Sequence, residues 1–189
     1  MAIEIREATI ADIAQIIAIG RDTYRQHFAD IWRNMDTFLD QDFSCAAVTA
    51  CVSQRDKHRY LLAWKENELV GFAKLNLDTQ LPGQAGHGVE LQKIYLTRAA
   101  VGHHLGSQLL QTSLQIAATL QRSYVWLDVL KSNHSAQQFY RRHQFTVTGE
   151  IPFSTDCQEI GMWVMVRPLT AAELAMTAPT ELTSLVSAS

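Results

Sequence analysis

The chain has 189 residues, of which 47% are hydrophobic and 19% are charged, and its formal net charge is -3. This length suffices for one well-buried core but is short for two full domains, so we expect one compact domain. The slight acidic excess excludes the strongly basic surface that binding of nucleic acids or anionic membranes usually requires.

The cysteines and the N-terminal sequence indicate a cellular compartment. The three cysteines, Cys45, Cys51 and Cys157, have neither CxxC nor histidine-paired zinc spacing, so neither a disulfide scaffold nor a structural zinc site is expected. The N-terminus carries early acidic residues and no apolar signal segment, and no later run approaches the ~20 apolar residues of a membrane span. We therefore expect a cytoplasmic protein with reduced thiols and neither a membrane nor a metal partner.

The first half of the chain predicts a strand, several helices and a hairpin. Alternating residues over 3–6 suggest a half-buried strand, and Thr9 with Asp12 forms the pattern of a capping box before a helix that should end near Phe28. Further predicted elements are a helix or a pair of short helices over 35–52, two antiparallel strands over 60–64 and 69–77, and an exposed loop over 78–88.

The second half contains the stretch around which the rest is organised, residues 89–150. Strict alternation over 89–96 predicts a strand that turns Val89, Leu91, Lys93 and Tyr95 to one face. A turn containing glycine then leads into a long helix that should reach about Gln121. This arrangement aims the backbone N–H groups of a helix start at a phosphate.

The remaining elements complete a sheet. Residues 124–130 form an apolar run suited to a strand covered on both faces, so strand, helix and strand imply a right-handed parallel crossover. Asn133 should cap a short helix that includes Tyr140. Two more strands are predicted over 145–148 and 160–166, followed from Thr170 by one helical turn at most and then a disordered tail.

Three segments together carry a family resemblance: ELQKIYL from Glu90, HHLGSQLL from His103, and NHSAQQFYRRHQFTVTGE from Asn133. In their order and spacing, the chain resembles the GCN5-related N-acetyltransferase (GNAT) superfamily over roughly residues 3 to 168. ELQKIYL and VWLDVLKSNHSAQQFYRRHQF are most similar to bacterial polyamine acetyltransferases of the spermidine/spermine type.

The resemblance implies a fold class and an assembly. The fold would be a mixed α/β (α+β) domain whose central, mostly antiparallel sheet contains one splayed parallel strand pair and has helices on both faces. This N-acetyltransferase domain would occupy residues 1–168, and 169–189 would be a partly disordered tail. A homodimer is also expected at the level of the superfamily.

The resemblance further implies acetyl-CoA as the donor and assigns its binding residues. The backbone of Ile94, Tyr95 and Leu96 would pair with the pantetheine arm as an added strand. The turn and helix start would wrap the pyrophosphate with the backbone amides of Val101, Gly102, His103, His104, Leu105, Gly106 and Ser107. The usual pattern is Arg or Gln, two residues, Gly, one residue, and Gly or Ala. This chain departs from it with Val101 and His104, so altered geometry or affinity is expected.

The resemblance assigns two catalytic side chains. Tyr140 matches the tyrosine that protonates the departing thiolate, a role suited to a phenol with a reference pKa of about 10. The alternative is that Tyr140 only packs on the sheet with its hydroxyl bonded. Glu90 is the candidate base, acting directly or through water, and its alternative is a solvated carboxylate at a strand start. Asn133 matches a residue that contacts the cofactor near the pantetheine.

For the other polar and aromatic residues considered, a surface or packing role is the simpler expectation. His103 and His104 have no carboxylate spaced to complete a metal site, so a polar turn surface is expected. Asp22, Asp30 and Asp128 suit an acceptor groove for a cation, although a solvated face is the simpler expectation for each one. For Trp32 and Trp163, an acceptor wall and a core or subunit contact are the two alternatives, and the second is favoured.

The sequence therefore predicts transfer of an acetyl group from acetyl-CoA to a primary amine. The attack is expected to be direct, without a covalent enzyme intermediate, since no cysteine is placed as a nucleophile. A polyamine is the first acceptor to consider, as a small-molecule partner. Two alternatives stay open: acetylation of a protein N-terminus or lysine, and a non-catalytic module that binds acyl-CoA for regulation.

Overall fold

A computed structural model describes residues 3–177 of the chain. Its elements in chain order are β1 (Ile3–Glu7), α1 (Ile13–Phe28), α2 (Asp36–Asp42), α3 (Cys45–Ser53), β2 (His58–Lys65), β3 (Glu68–Thr79), β4 (Gly88–Leu96), α4 (Leu105–Thr119), β5 (Tyr124–Leu130), α5 (His134–Arg142), β6 (Thr146–Ile151), β7 (Met162–Pro168) and α6 (Ala171–Thr177). Short 3-10 turns occupy Ile10–Asp12, Ala29–Ile31 and Arg98–Ala100.

The strands form one seven-stranded sheet in the order β1-β2-β3-β4-β5-β7-β6. Only β4 and β5 pair in parallel, and every other neighbouring pair is antiparallel. Helix α4 connects the parallel pair, as a crossover between parallel strands requires. The predicted fold class is therefore confirmed, including the pair of short helices over 36–53 and the hairpin of β2 and β3.

Each face of the sheet carries its own core. On one face, α4 and α5 pack on the central strands, and the buried residues include Leu91, Leu105, Leu109, Val125, Leu127 and Phe145. On the other face, α1, α2 and α3 cover β2, β3 and the end of β4, with Ile16, Leu39, Phe43, Leu62 and Phe72 buried. Each fully buried side chain of this size contributes about 1.5–3 kcal/mol of hydrophobic stabilisation.

The core under α1, α2 and α3 depends on a close approach at Gly20 of α1. A Cβ placed on Gly20 would lie 2.2 Å from Cε1 of Phe43, nearer than real Cβ contacts allow. Glycine therefore lets the ring of Phe43 pack directly on the helix backbone. This packing fixes α1 against the segment that follows α2, and so positions the C-terminal turn of α1 beside β4.

The predicted capping interaction at the start of the first helix is confirmed. Asp12 Oδ2 accepts a hydrogen bond from the backbone N–H of Thr9 at 2.8 Å. Arg6 pairs with the same carboxylate, at 2.7 Å from Oδ1. The hydrogen bond from Arg6 is the main reason that the pKa of Asp12 lies below its ordinary value.

The chain after β7 forms a longer helix than the single turn that was predicted. Helix α6 begins with a capping box, in which Glu173 N donates to Thr170 Oγ1 at 3.2 Å and Thr170 N donates to Glu173 Oε2 at 2.8 Å. Arg167 also pairs with Glu173 at 2.8 Å. The boundary at 168 stays a prediction, and the predicted disorder concerns residues 178–189, which lie outside the described part of the chain.

Candidate active site

Strands β4 and β5 separate after a short paired segment. The parallel ladder joins only Gly88 to Tyr124, Val89 to Val125 and Glu90 to Trp126. Past Glu90, no ladder pair joins these two strands in the described chain, although β5 stays paired with β7 as far as Leu130. A gap therefore opens between the C-terminal halves of β4 and β5.

A β-bulge lies in β4 where this gap begins. Against β3, Lys93 pairs with Lys74, whereas the next pair joins Leu91 to Leu75. Gln92 is therefore an extra residue in β4 that has no partner of its own. An extra residue of this kind bends the strand and increases its twist, which turns the end of β4 away from β5.

The bulge makes the predicted alternation of side chains along β4 wrong beyond Leu91. Val89 and Leu91 do share a face, in the core under α4. Lys93 and Tyr95 lie on the opposite face: Lys93 Nζ is 5.8 Å from the centroid of the Phe43 ring, and Tyr95 packs in the core under α1. The physical reason is the period of the strand, because one added residue moves every later side chain to the other face.

Beyond the bulge, β4 turns backbone groups toward the gap. Thr97 N donates to Val70 O of β3 at 2.9 Å, so the backbone groups of Thr97 and Tyr95 point toward β3. Those of Ile94 and Leu96 point the other way, into the gap. There, His27 Nε2 of α1 donates to the carbonyl of Leu96 at 2.7 Å. The N–H of Leu96 and both backbone groups of Ile94 are left facing the gap as strand-like hydrogen-bonding positions.

The turn after β4 presents helix amides without a side-chain cap. His104 is the N-cap residue of α4, and its side chain makes no capping hydrogen bond. The first bond of the helix runs from Gln108 N to His104 O at 3.0 Å. The N–H groups of Leu105, Gly106 and Ser107 thus have no partner within the helix, and they carry the positive end of its dipole. This arrangement suits an anion such as a phosphate.

His104 takes the backbone conformation that glycine usually provides. Its φ is +61° with ψ near 0°, in the left-handed region. Gly102, with φ of +88°, also requires a positive φ. The sequence departs from the family pattern at His104, but the backbone there still has the left-handed conformation that glycine usually provides. A histidine in this conformation is strained. Val101 is 54% exposed, so it offers the turn an apolar side chain where the pattern has a hydrogen-bond donor.

Gly106 and Ser107 connect the start of α4 to α5. A Cβ on Gly106 would lie 3.6 Å from Phe139 Cζ and 3.7 Å from Leu96 Cδ1, which is ordinary contact, so alanine would fit there as the family pattern allows. Ser107 Oγ and His143 Nε2 are 3.1 Å apart. The pKa of His143 is lowered, first by burial and then by the nearby charges of Arg142 and Arg167.

Tyr140 lies on α5 and is 7% exposed. Its ring contacts Phe139 and Phe145 edge-on, at centroid distances of 5.2 and 5.7 Å. Burial raises the pKa of its phenol well above the ordinary value. The hydroxyl makes no hydrogen bond with any group of residues 3–177. The alternative role, in which Tyr140 only packs on the sheet, predicted that this hydroxyl would be hydrogen-bonded. The phenol is therefore buried and protonated, with its donor not engaged by the described chain.

Asn133 serves as the N-cap of α5. Its Oδ1 accepts from Ala136 N and from Ser135 Oγ, both at 3.1 Å. This leaves the amide Nδ2 as the group that can contact a ligand. The predicted cap is confirmed, while the contact with the cofactor stays a prediction.

Glu90 is half-buried on the face of the sheet opposite α4. Its Oε2 accepts a hydrogen bond from Asn76 Nδ2 of β3 at 2.6 Å. Asn76 Oδ1 is in turn 2.7 Å from His58 Nδ1 of β2. Glu90 is therefore held by neighbouring strands rather than freely solvated, and it ends the paired part of β4 where the gap begins.

A second carboxylate, Asp128 of β5, lies on the same face. Its Oδ1 is buried without a hydrogen-bond partner in the part of the chain that the structure describes. Burial raises the pKa of Asp128, and the negative charge of Glu90 raises it further. The expectation of a solvated residue is therefore wrong for Asp128, whereas Asp22 and Asp30 are exposed. Lys93, also buried on this face, is neutralised by Asp42 Oδ2 at 2.6 Å.

The segment between β6 and β7 is fastened to the segment between α1 and α2. Both oxygens of Asp156 accept backbone N–H groups, from Arg33 at 2.8 Å and Asn34 at 2.6 Å. The ring of Trp32 contacts Phe153 edge-on at a centroid distance of 6.5 Å. These contacts form a clasp between two segments 123 residues apart in the chain. Sequence analysis missed Asp156 because no local pattern points to such a partner.

The two tryptophans considered as acceptor walls have different surroundings. Trp32 belongs to the clasp, and its Nε1 donates to the hydroxyl of Tyr24 at 3.1 Å. Trp163 lies at the edge of the core under α4, where the ammonium of Lys131 is 4.2 Å from its ring centroid. Trp32 thus borders the aromatic cluster beside Tyr95, whereas Trp163 fits the expectation of a core contact.

Residues 3–177 contain neither a group of side chains suited to a metal ion nor a helix suited to a membrane span. No three His, Cys, Asp or Glu side chains in this range are grouped so that they could hold a metal ion. Within the same range, no helix has the length and apolar character needed to cross a membrane.

A strand that leaves its parallel neighbour, followed directly by a turn and an uncapped helix start, forms a site that can accept an extended ligand with an anionic end. The chain matches the description "Acetyltransferase (GNAT) family" over residues 21–145. The chain therefore belongs to the GNAT family and is an N-acetyltransferase. The predicted superfamily is confirmed, while the narrower likeness to polyamine acetyltransferases stays a prediction.

Individual relatives agree with this assignment. An uncharacterised N-acetyltransferase encoded in the pepI 3' region of Lactobacillus delbrueckii subsp. lactis is 25% identical over 154 residues, which are 80% of this chain and 88% of the relative. PaiA N-acetyltransferase from Thermoplasma acidophilum, solved with coenzyme A, has a TM-score of 0.75 at 21% identity over 89% of this chain and 100% of its own. YncA from Salmonella typhimurium, solved with its cofactor acetyl-CoA, has a TM-score of 0.67 at 22% identity over 90% and 95% of the two chains. At these identities, the two solved structures establish the fold.

Proposed function

We propose that this enzyme transfers the acetyl group of acetyl-CoA to a primary amine of a small molecule, with a polyamine such as spermidine as the acceptor to test first. The observation that carries the proposal is the gap between β4 and β5, which has hydrogen-bonding backbone groups on one side and two carboxylates at its mouth. The donor would occupy the gap, and the amine would approach from the face of Glu90.

The donor side supports an extended ligand. The pantetheine arm has amide groups that can pair with Ile94 and with the N–H of Leu96, as another strand would. The pyrophosphate would accept hydrogen bonds from the amides at the start of α4. Binding through backbone groups does not require the arginine or glutamine that Val101 replaces. The complexes of PaiA with coenzyme A and of YncA with acetyl-CoA support the same donor for this fold.

The reaction then needs two proton transfers. The nitrogen of the neutral amine attacks the thioester carbonyl carbon, the C–S bond breaks, and the thiolate of CoA leaves. Glu90, directly or through water, would take the proton that the nitrogen loses. Tyr140 would give a proton to the thiolate, because its buried phenol is protonated and its hydroxyl is not engaged within residues 3–177. No covalent bond to the enzyme forms in this sequence.

The acceptor face favours a small cationic molecule. Glu90 and Asp128 present carboxylates there, while the ammonium of Lys93 is paired with Asp42 and adds no free positive charge. These features support a polyamine, whose spaced ammonium groups suit two carboxylates.

The direct test is release of free CoA thiol from acetyl-CoA when an amine is added. We expect spermidine and spermine to support turnover better than a peptide with a free N-terminus or a lysine peptide. Turnover with peptides alone would replace the polyamine assignment. Binding of acetyl-CoA without thiol release across amines would instead support a regulatory module.

The role of Tyr140 is tested in the same assay with Tyr140→Phe. We expect kcat to fall by about 100-fold, within the range for loss of a general acid, while the Kd for acetyl-CoA stays unchanged. The matched control is Tyr60→Phe, because Tyr60 is 4% exposed and lies in the other core. Unchanged turnover of Tyr140→Phe would remove Tyr140 from the role of acid.

A further inference from the structure

We propose that Asn76 is a positioning residue for the carboxylate of Glu90, and that His58 in turn fixes the orientation of Asn76. This inference rests on the proposed function, in which Glu90 takes the proton of the amine. It concerns two residues that have no place in the donor site, on strands β2 and β3. Neither residue touches the donor or the acceptor in this account, and both act through Glu90.

The three side chains form a continuous row across neighbouring strands. His58 of β2 is the ladder partner of Asn76 of β3, and Asn76 is the ladder partner of Glu90 of β4. Nδ1 of His58 lies 2.7 Å from Oδ1 of Asn76, and Nδ2 of Asn76 lies 2.6 Å from Oε2 of Glu90. Direct partners on one face of a sheet are close enough for such contacts, so the strand register itself builds the row.

The chemistry of the groups permits one direction of hydrogen bonding while Glu90 is ionised. A carboxylate only accepts, so Asn76 must turn its NH₂ group toward Glu90. Its carbonyl oxygen then faces His58, and an oxygen of this kind also only accepts. His58 must therefore donate from Nδ1, which fixes its tautomer when it is neutral. Without that donor, the amide of Asn76 could rotate and point its oxygen at the carboxylate.

This row holds one oxygen of Glu90 and leaves the other available. Oε2 is occupied by Asn76, while Oε1 makes no hydrogen bond with residues 3–177. Glu90 is also the last residue of β4 that pairs with β5, two residues before the bulge at Gln92, where the backbone bends. The side chain of Glu90 is long and can point in several directions. The hydrogen bond from Asn76 restricts the direction in which its carboxylate points. Proton transfer depends strongly on this geometry, since the base must lie within hydrogen-bond reach of the proton.

The row could instead serve only to join the strands. In that case, its loss would lower thermal stability without changing kcat, and the effect would not depend on Glu90. A positioning role predicts a lower kcat at saturating amine and acetyl-CoA, with an unchanged Kd for acetyl-CoA. It also predicts that changes at Asn76 matter only while Glu90 is present.

The first experiment compares Asn76→Leu, Glu90→Gln and the double variant by thiol release with spermidine. We expect Asn76→Leu to lower kcat by about tenfold, a fraction of the loss from removing a general base. In the Glu90→Gln background, Asn76→Leu should cause no further loss, because the carboxylate it positions is gone. Thr79→Val is the matched control, since it removes two other cross-strand hydrogen bonds, to Gly88 O at 3.0 Å and from Trp126 Nε1 at 2.8 Å, and leaves the hydrogen bond from Asn76 to Glu90 in place.

The second experiment changes only His58. His58→Asn places an amide NH₂ close to the position of Nδ1, so it should restore the donor and keep most of the wild-type kcat. His58→Leu removes the donor and should lower kcat toward the value of Asn76→Leu. This pair leaves Asn76 in place, and it therefore decides the question even if Asn76→Leu does not fold.

The outcomes separate this inference from the proposed function. If Glu90→Gln is slow while Asn76→Leu and His58→Leu turn over normally, the positioning role is overturned and the role of Glu90 stands. If Glu90→Gln turns over normally, Glu90 is not the base and the positioning role that rests on it is overturned, while acetyl transfer to spermidine stands. Equal rates for His58→Asn and His58→Leu would also overturn the part assigned to His58.

Discussion

The two sides of the gap are built in different ways. The proposed donor side uses consecutive residues from Ile94 to Ser107, and it offers mainly backbone groups. The proposed acceptor side brings together His58, Asn76, Glu90 and Asp128 from four different strands, and it would act through side chains. Backbone recognition tolerates changes of side chain, which explains how Val101 and His104 can replace family residues. Side-chain recognition does not tolerate such changes, so the acceptor face should determine which amine is used.

The largest effect on acetyl-CoA binding is expected from removing a single backbone N–H of the proposed donor side. Ile94→Pro removes an N–H that faces the gap and breaks no ladder bond with β3, so the fold should persist. We expect the Kd for acetyl-CoA to rise by about tenfold, as for one lost hydrogen bond of about 1.4 kcal/mol. Isothermal titration measures this change.

The control for this variant is Tyr95→Pro. The N–H of Tyr95 points toward β3, so this proline breaks the ladder and should lower Tm as well as binding. Unchanged acetyl-CoA binding in Ile94→Pro would contradict the assignment of the gap as the donor site.

Substitutions at the two residues with positive φ in the turn before α4 should change the free energy of unfolding in opposite directions. His104→Gly removes a side chain from the left-handed region and should raise the free energy of unfolding by about 0.5–1 kcal/mol. Gly102→Ala should lower it by about 1 kcal/mol, from backbone strain alone, since no atom lies within 4 Å of the added Cβ. Urea unfolding measures both values, and equal signs would contradict the turn geometry.

Variants at two helix N-caps distinguish a loss of stability from a loss of acetyl-CoA binding. Asn133→Ala and Ser44→Ala each remove a side chain that accepts from an N3 backbone N–H, at the starts of α5 and α3. Each should cost about 1 kcal/mol of stability. Only Asn133→Ala should also raise the KM for acetyl-CoA. The same KM in both variants would leave Asn133 with a capping role only.

The smallest effect is expected at Asp128 and depends on pH. Its pKa is raised in the folded state, first by burial and then by Glu90, so its ionisation opposes folding at neutral pH. Asp128→Asn should therefore raise Tm by about 1 °C at pH 7. This gain should disappear as the pH falls below about 4, where the carboxyl group is protonated in both folded and unfolded chains. Calorimetry at several pH values measures this difference in Tm between the variant and the wild type. A difference that grows toward low pH would contradict the expected rise in the pKa of Asp128.

The features that could be predicted from the sequence are those that depend on short, local patterns. The donor side depends on local patterns: the alternation around Glu90, the glycines of the turn and the cap at Asn133 all lie within short segments. The family resemblance follows from these segments too. The capping box of Thr170 and Glu173 is also local, and it would have predicted α6 had it been recognised.

The remaining features depend on contacts between distant segments. The bulge at Gln92 results from the pairing of β4 with β3, and no glycine at or next to Gln92 marks it. The row from His58 to Glu90 requires the register of three strands, which hydrophobic patterns alone do not specify. The contact of Asp156 with Arg33 joins residues 123 apart. Sequence patterns predict such contacts poorly, because these contacts depend on the tertiary fold.

The most direct test of the account is amide hydrogen exchange along β4, measured by NMR with and without acetyl-CoA. We expect the amides of Ile94 and Leu96 to exchange quickly in the free enzyme and to become protected when acetyl-CoA binds. Tyr95, whose N–H points toward β3, should exchange slowly in both states. If acetyl-CoA binds and leaves the exchange of Ile94 and Leu96 unchanged, the gap between β4 and β5 is not the donor site.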